Sequence, residues 1–226
     1  MPYKYAYITS CLILFIIWIF IFLRRKDLQQ EMLWASILGM PFGVIDFFLV
    51  PAYWHPDSLL GLMEKYGIGI ESFLFLFCMA GIASVLYEFL WKEKLIRLEH
   101  SGQHHYWLLI FIPFLYIILS IIFPTKSIYN LMIAGAIGSI ITACLRKDLR
   151  KQILISAIIF SLLYFVIFIL VSFLFPGFVI HSYNLSNTWD ILVLGIPLEE
   201  IVVAFFAGAF WSTIYEYTKS YREKRC

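Results

Sequence analysis

The stretch GIGIESFLFLFCMAGIASVLYEF, residues 67–89, is echoed at residues 195–217 as GIPLEEIVVAFFAGAFWSTIYEY. At one constant offset Gly67 meets Gly195, Glu71 meets Glu199 and Phe77 meets Phe205; further along, Ser84, Tyr87 and Glu88 meet Ser212, Tyr215 and Glu216. Two apolar helices share Leu, Ile and Phe by chance, but matched glutamates and a Tyr-Glu-aromatic ending are harder to obtain that way. Upstream, Arg-Lys-Asp recurs at 25–27 and 146–148, and Pro51…His55 loosely echoes Pro176…His181. Self-similarity over this length marks a duplicated structural unit.

Each copy is a continuous apolar run, and the composition says where such runs reside. Hydrophobic residues make up 62% of the 226 positions and charged residues 14%, against roughly half and about a quarter in soluble domains. The chain is therefore expected to be an all-α integral membrane protein. Runs near the length of about 20 residues needed to cross a bilayer fall at 3–23, 32–50, 67–91, 106–124, 127–145, 153–175 and 191–217. The first is too long for a signal peptide and lacks a small-residue cleavage site before Arg24, so it reads as a retained span. Seven transmembrane helices result: a three-helix unit over 1–91, a linker helix over 106–124 and a second three-helix unit over 127–217. The linker helix returns the chain to the outer face, so four crossings separate the starts of the two units, which run parallel about an axis near the membrane normal. No linker-like composition divides the chain, which reads as a single membrane domain, 1–226. Fourteen Lys and Arg residues lie in alternate loops and the tail, against three (Lys4, Lys65, Lys126) on the other side. The positive-inside bias then puts the N-terminus outside a cell membrane and the C-terminus in the cytoplasm.

Carboxylates inside such helices are costly and mark function, facing the bundle interior. Asp46, Glu71, Glu199 and Glu200 are the candidates. By helical rise, Asp46 and Glu71 lie about one turn, and Glu199 about two turns, inside the outer ends of their spans. They therefore meet at similar depth. Two carboxylates packed together away from water cannot both ionise cheaply, which leaves a proton donor beside a proton acceptor. Pro197, read as lying inside the last span, frees the carbonyl of Val193 and adds polarity nearby. Glu88 and Glu216, about 25 Å lower, are expected at the headgroups, paired with Lys92 or the basic tail. Cys11, Cys78 and Cys144 lie in apolar runs and Cys226 ends the chain, so no disulfide is expected.

The sequence contains no phosphate-binding loop, no HExxH and no CxxC. Residues 67–72 lack the third glycine of a dinucleotide fingerprint. No cofactor, metal or nucleic acid is expected, and His100, His104 and His105 read as solvated. The last span carries no Lys between Asp190 and Tyr217, which excludes a retinal Schiff base.

Gly195-Ile-Pro-Leu-Glu-Glu, with Trp189 just upstream, resembles the P-x-E-[ED] signature of the membrane-embedded lycopene cyclases, which occur as two three-helix subunits or as their fusion. The duplication resembles the fused form. That resemblance implies an isomerase of carotenoid biosynthesis acting on a lipid-soluble polyene among membrane lipids. It also implies catalytic roles for Glu199, Glu200 and, in the first unit, Glu71; Asp46 joins them as a supporting acid by its depth alone. The first unit departs from the signature, with Gly69 at the proline position and Ser72 at the second acid. Cyclisation of an acyclic end group is redox-neutral: an acid protonates a terminal double bond, the cation closes the ring and a base removes a proton. A CAAX-type intramembrane protease also uses a Glu-Glu pair, but Ala204 stands where that pattern has Arg. A non-catalytic carrier or assembly protein would need a water-filled path to Glu199, whereas a cyclase needs a dry tunnel.

Overall fold

The computed structural model describes residues 3–91, 94–97, 106–219 and 221–224. Among the described residues six helices are long and apolar enough to cross a membrane: Tyr3–Arg24, Lys26–Leu49, Ile70–Trp91, Pro124–Leu145, Lys147–Leu174 and Leu198–Lys219. Trp107–Ile122 is apolar but shorter, at 16 residues. The chain is a helical membrane protein.

The helices are α1 (Ala6–Arg24), α2 (Gln29–Gly39), the one-turn α3 (Asp46–Leu49), α4 (Leu62–Tyr66), α5 (Ile70–Trp91), α6 (Trp107–Ile122), α7 (Ser127–Leu145), α8 (Arg150–Leu174), α9 (Phe178–Ser182) and α10 (Leu198–Lys219). Between α2 and α3 the second span tightens into a 3-10 segment, Met40–Ile45. Pro41 supplies no N–H for an α-helical ladder at this point. Gly43 brings this segment onto the backbone of α5, since a Cβ there would stand 2.9 Å from the backbone of Ser72 and Phe73. The tightened segment thereby sets Asp46 beside the start of α5.

The repeated Arg-Lys-Asp motif has a repeated structural job. Arg25 grips Asp27 through two bonds, at 2.9 and 2.8 Å, and donates to the carbonyl of Glu88 at 2.8 Å. Arg146 grips Asp148 at 3.0 and 2.8 Å and donates to the carbonyl of Glu216 at 3.1 Å. In both units a planar guanidinium closes the turn between the first two helices and ties it to the end of the third.

Helices α5 and α10 occupy the centre, almost fully buried from Cys78 to Glu88 and from Gly208 to Thr218. A helix apolar on all sides belongs in the interior. The small residues Ala80, Ser84, Gly208 and Ser212 are all buried. Two of them pack closely against helices of their own unit. Ala80 is met by Gly39 of α2, and Gly208 by Phe160 of α8.

Two short ribbons accompany the helices. Strand β1 (Lys94–Arg97) pairs antiparallel with β4 (Tyr221–Lys224), joining the chain beyond α5 to the chain beyond α10. Strands β2 (Leu192–Val193) and β3 (Ile196–Pro197) form a hairpin. This hairpin corrects the expected last span, which begins at Leu198 rather than 191. Its two-residue turn holds Leu194 and Gly195 at φ 51° and 83°, the positive-φ geometry of tight hairpins. An apolar run does not by itself separate strand from helix. Pro197 therefore precedes the helix, and Val193 pairs with Ile196 instead of offering a freed carbonyl. His100, His104, His105 and Cys226 lie outside the described residues.

Candidate active site

The three acids that open the central helices do different work. Glu71 is the second residue of α5 and Glu199 the second of α10, where the positive end of the helix favours a carboxylate. Glu71 accepts from the backbone N–H of Leu59 at 2.8 Å. Glu199 accepts from the N–H of Trp189 at 2.5 Å and from the Tyr129 hydroxyl at 3.2 Å. Each holds the loop that leads into its own helix. Glu200, one residue on, turns about 100° around the axis and faces a cavity.

Glu200 Oε1 accepts from the Tyr53 hydroxyl at 2.9 Å, and its Oε2 from Tyr164 at 2.5 Å. Asp46 Oδ2 accepts from the Tyr7 hydroxyl at 3.1 Å. Ser72, which occupies the Glu200 position in the first copy of the repeat, lies next to Asp46. A carboxyl from the preceding span therefore sits where the first unit lacks its second acid. Asp46 and Glu200 both line the same cavity of about 200 Å³; Glu71 and Glu199 do not.

The cavity descends from these acids between the two units. Along α10 its wall passes from Glu200 through Ala204 and Ala207 to Trp211, a drop of about 16 Å at the helical rise. Its sides come from α1, α5, α7 and α8, and α6 covers one flank with Ile112, Pro113 and Tyr116. Helix α6 is held by a bond from the Trp107 indole to the Tyr217 hydroxyl at 2.8 Å and by the edge contact of Tyr116 with Phe48 at 5.7 Å. Over the acid end, the loops of the two units join. His55 N–H donates to Ser182 and Asn184 N–H to the Tyr53 carbonyl, at 2.7 and 2.9 Å, and Trp54 bridges to Tyr183. Among the described residues the lining is almost wholly apolar and includes no Lys, Arg or His.

Of the four expected site residues, the fold brings Asp46 and Glu200 together on the cavity and sets Glu71 and Glu199 behind them. The tyrosines at 7, 53 and 164 escaped sequence reading. Among 14 Tyr residues in an aromatic-rich chain, nothing local distinguishes a hydroxyl aimed at a carboxylate from a packing ring.

A second acidic group corrects another expectation. Glu88 and Glu216 are not interfacial: both are 0% exposed. The Gln152 amide nitrogen lies 2.6 Å from an oxygen of each and 2.7 Å from the Ser212 carbonyl. Glu31 completes the group, its carboxylate within 4.8 Å of the other two. In the register that sets Arg25 on Arg146, Glu31 falls on Gln152. The group is thus built from two pairs of equivalent positions meeting where the units cross. Distance along a helix was the wrong guide to burial here, because α5 and α10 remain enclosed to their last turns.

The family model described as lycopene cyclase matches residues 4–90 and 126–218. No curated protein and no solved structure matches the chain. The two matched stretches correspond to the two copies of the repeat and together cover most of the sequence. The chain belongs to the lycopene cyclase family, with both units fused in one polypeptide.

Proposed function

We propose that the protein closes rings on the acyclic ends of a lycopene-type carotenoid by proton-initiated, redox-neutral catalysis inside the bilayer. The observation that carries this reading is a nearly apolar cavity with two carboxyls at the end covered by the joined loops. An acid transfers its proton to the terminal carbon–carbon double bond. The resulting cation is attacked by the next double bond to close the ring, and a base removes a neighbouring proton. One proton enters and one leaves, so no electrons need be supplied.

Asp46 and Glu200 are the groups proposed to meet the substrate. Glu200, held by two tyrosyl hydroxyls, is assigned the base. Asp46, with a hydroxyl from Tyr7, is assigned the acid. Glu199 and Glu71 are positioning residues, acting through the loops they hold. Exclusion of water matters because water would trap the cation, and the loop roof and apolar wall supply that exclusion.

The topology that fits this reading has seven crossings in a cell membrane, N-terminus outside and C-terminus cytoplasmic. Helix α6 is the spare span: its 16 residues reach about 24 Å, short of a hydrocarbon core of about 30 Å. Trp107 and Tyr106 at its start suit an interfacial anchor. A polyene dissolved in the bilayer would then reach the cavity sideways, past α6. Expression in cells that accumulate lycopene, with pigments separated by chromatography and read by absorption, tests the function. Conversion to cyclic carotenoids supports it; unchanged lycopene beside abundant, folded protein defeats it.

A further inference from the structure

The cavity lies between two copies of one unit, yet its walls are unequal. In the registers that set Arg25 on Arg146 and Gly67 on Gly195, wall residues of α1 and α5 have counterparts on α7 and α10. Leu14 corresponds to Gly135, Phe75 to Val203, Leu76 to Ala204 and Met79 to Ala207, and all eight line the cavity. In each pair the larger side chain belongs to the first unit. One pair runs the other way, Ser10 against Leu131. Deeper in, the order reverses. Phe210 and Trp211 stand where the first unit has Ile82 and Ala83, and Trp211 meets Phe42 edge-on at 5.5 Å. Close-packed interiors leave space where side chains are small, so the space is displaced onto α7 and α10 and closed below by rings.

Resting on the cyclase reading, we infer that the chain has one asymmetric seat for one acyclic polyene end, admitted by Ala204 and Ala207 and bounded below by the Phe42–Trp211 pair. The duplication does not create two equivalent sites. The large residues of the first unit occupy the rotation-related positions, and Ser72 leaves that side without its second acid. The acyclic end is received beside Ala204 and Ala207, where the first unit has the larger Leu76 and Met79. Ala204 and Ala207 are accordingly determinants of specificity, although neither carries chemistry.

The test separates binding from turnover. In the Glu200→Gln background, which is expected not to cyclise, the protein is purified from lycopene-accumulating cells and the pigment bound per protein is measured by absorption. That protein should carry bound lycopene. Adding Ala204→Leu or Ala207→Met, each the counterpart side chain of the first unit, should lower loading by about 10-fold or more (about 1.4 kcal/mol), because the added carbons occupy the space the end group needs. Leu76→Ala and Met79→Ala, on the opposite wall, should leave loading intact or raise it. Ala204→Val and Ala207→Val provide milder steps should the larger side chains prevent folding, and monodisperse elution identifies folded protein. Loading unchanged by all four enlargements, in a chain whose unaltered form makes rings, overturns the inference and leaves the cyclase reading standing. If the unaltered chain forms no rings and the Glu200→Gln protein binds no lycopene, the cyclase reading fails and the inference falls with it.

Discussion

Replacing Gln152 by Leu tests whether the two units are joined by the buried polar group beneath the cavity. The substitution keeps side-chain size and removes one amide. In the native chain that amide nitrogen lies within 2.7 Å of three acceptors, Glu88, Glu216 and the Ser212 carbonyl. Gln152 itself is 2% exposed. A buried hydrogen bond to a charged group is worth about 1.5–3 kcal/mol, and stripping a partner from a buried charge costs about 3–5 kcal/mol. The three acceptors share one donor group, so their losses do not add, and a total near 4 kcal/mol follows from those ranges. Reversible unfolding in mixed micelles, followed by tryptophan fluorescence, measures the change. Gln29→Leu is the matched control: Gln29 donates to the Phe22 carbonyl at a half-buried position and should cost about 1 kcal/mol. If Gln152→Leu unfolds within about 0.5 kcal/mol of the unaltered chain, a range typical of inert surface changes, the group does not hold the units together.

Tyr53→Phe and Tyr164→Phe each remove one hydroxyl from Glu200, and each should slow ring formation by about 10- to 100-fold, the worth of one bond to a charged group, in initial-rate assays on membranes. Glu199→Gln retains an acceptor for the Trp189 N–H and should keep more activity than Glu199→Ala; equal and complete loss in both would mean that Glu199 itself exchanges the proton. Arg146→Gln frees the turn at Asp148 and the end of α10, and should lower the unfolding midpoint without changing the pigment made. A reporter joined after Cys226 should report the cytoplasm, and an extracytoplasmic signal would invert the proposed orientation.

Much of the architecture was legible because duplication leaves marks that apolar composition cannot imitate. Matched Glu71 and Glu199, and two copies of Arg-Lys-Asp, pointed to the unit. In each half the arginine grips its aspartate and a third-helix carbonyl, and the glutamate accepts a backbone N–H from the preceding loop. Legibility failed where tertiary context decides between similar local readings. Residues 191–197 are as apolar as the helix after them, and only the positive-φ turn at Leu194 and Gly195 reveals a hairpin. The four candidate acids were visible as isolated charges in oily segments. Which of them face substrate was not, because Glu199 and Glu200 differ by a rotation whose zero the sequence does not fix. Glu31 was overlooked for a similar reason: it sits in a polar-looking run, QQE at 29–31, that the fold nevertheless buries.

The central claim is that a protein acid adds a proton to the polyene and a protein base takes one away. Cyclisation by isolated membranes in deuterated water, with mass analysis of the pigments, examines that transfer directly. The account predicts one deuterium gained for each ring formed, with product otherwise equal in mass to substrate, and no labelled product from Glu200→Gln or Asp46→Asn. Rings formed without deuterium, or with a change of mass by two hydrogens, would contradict it.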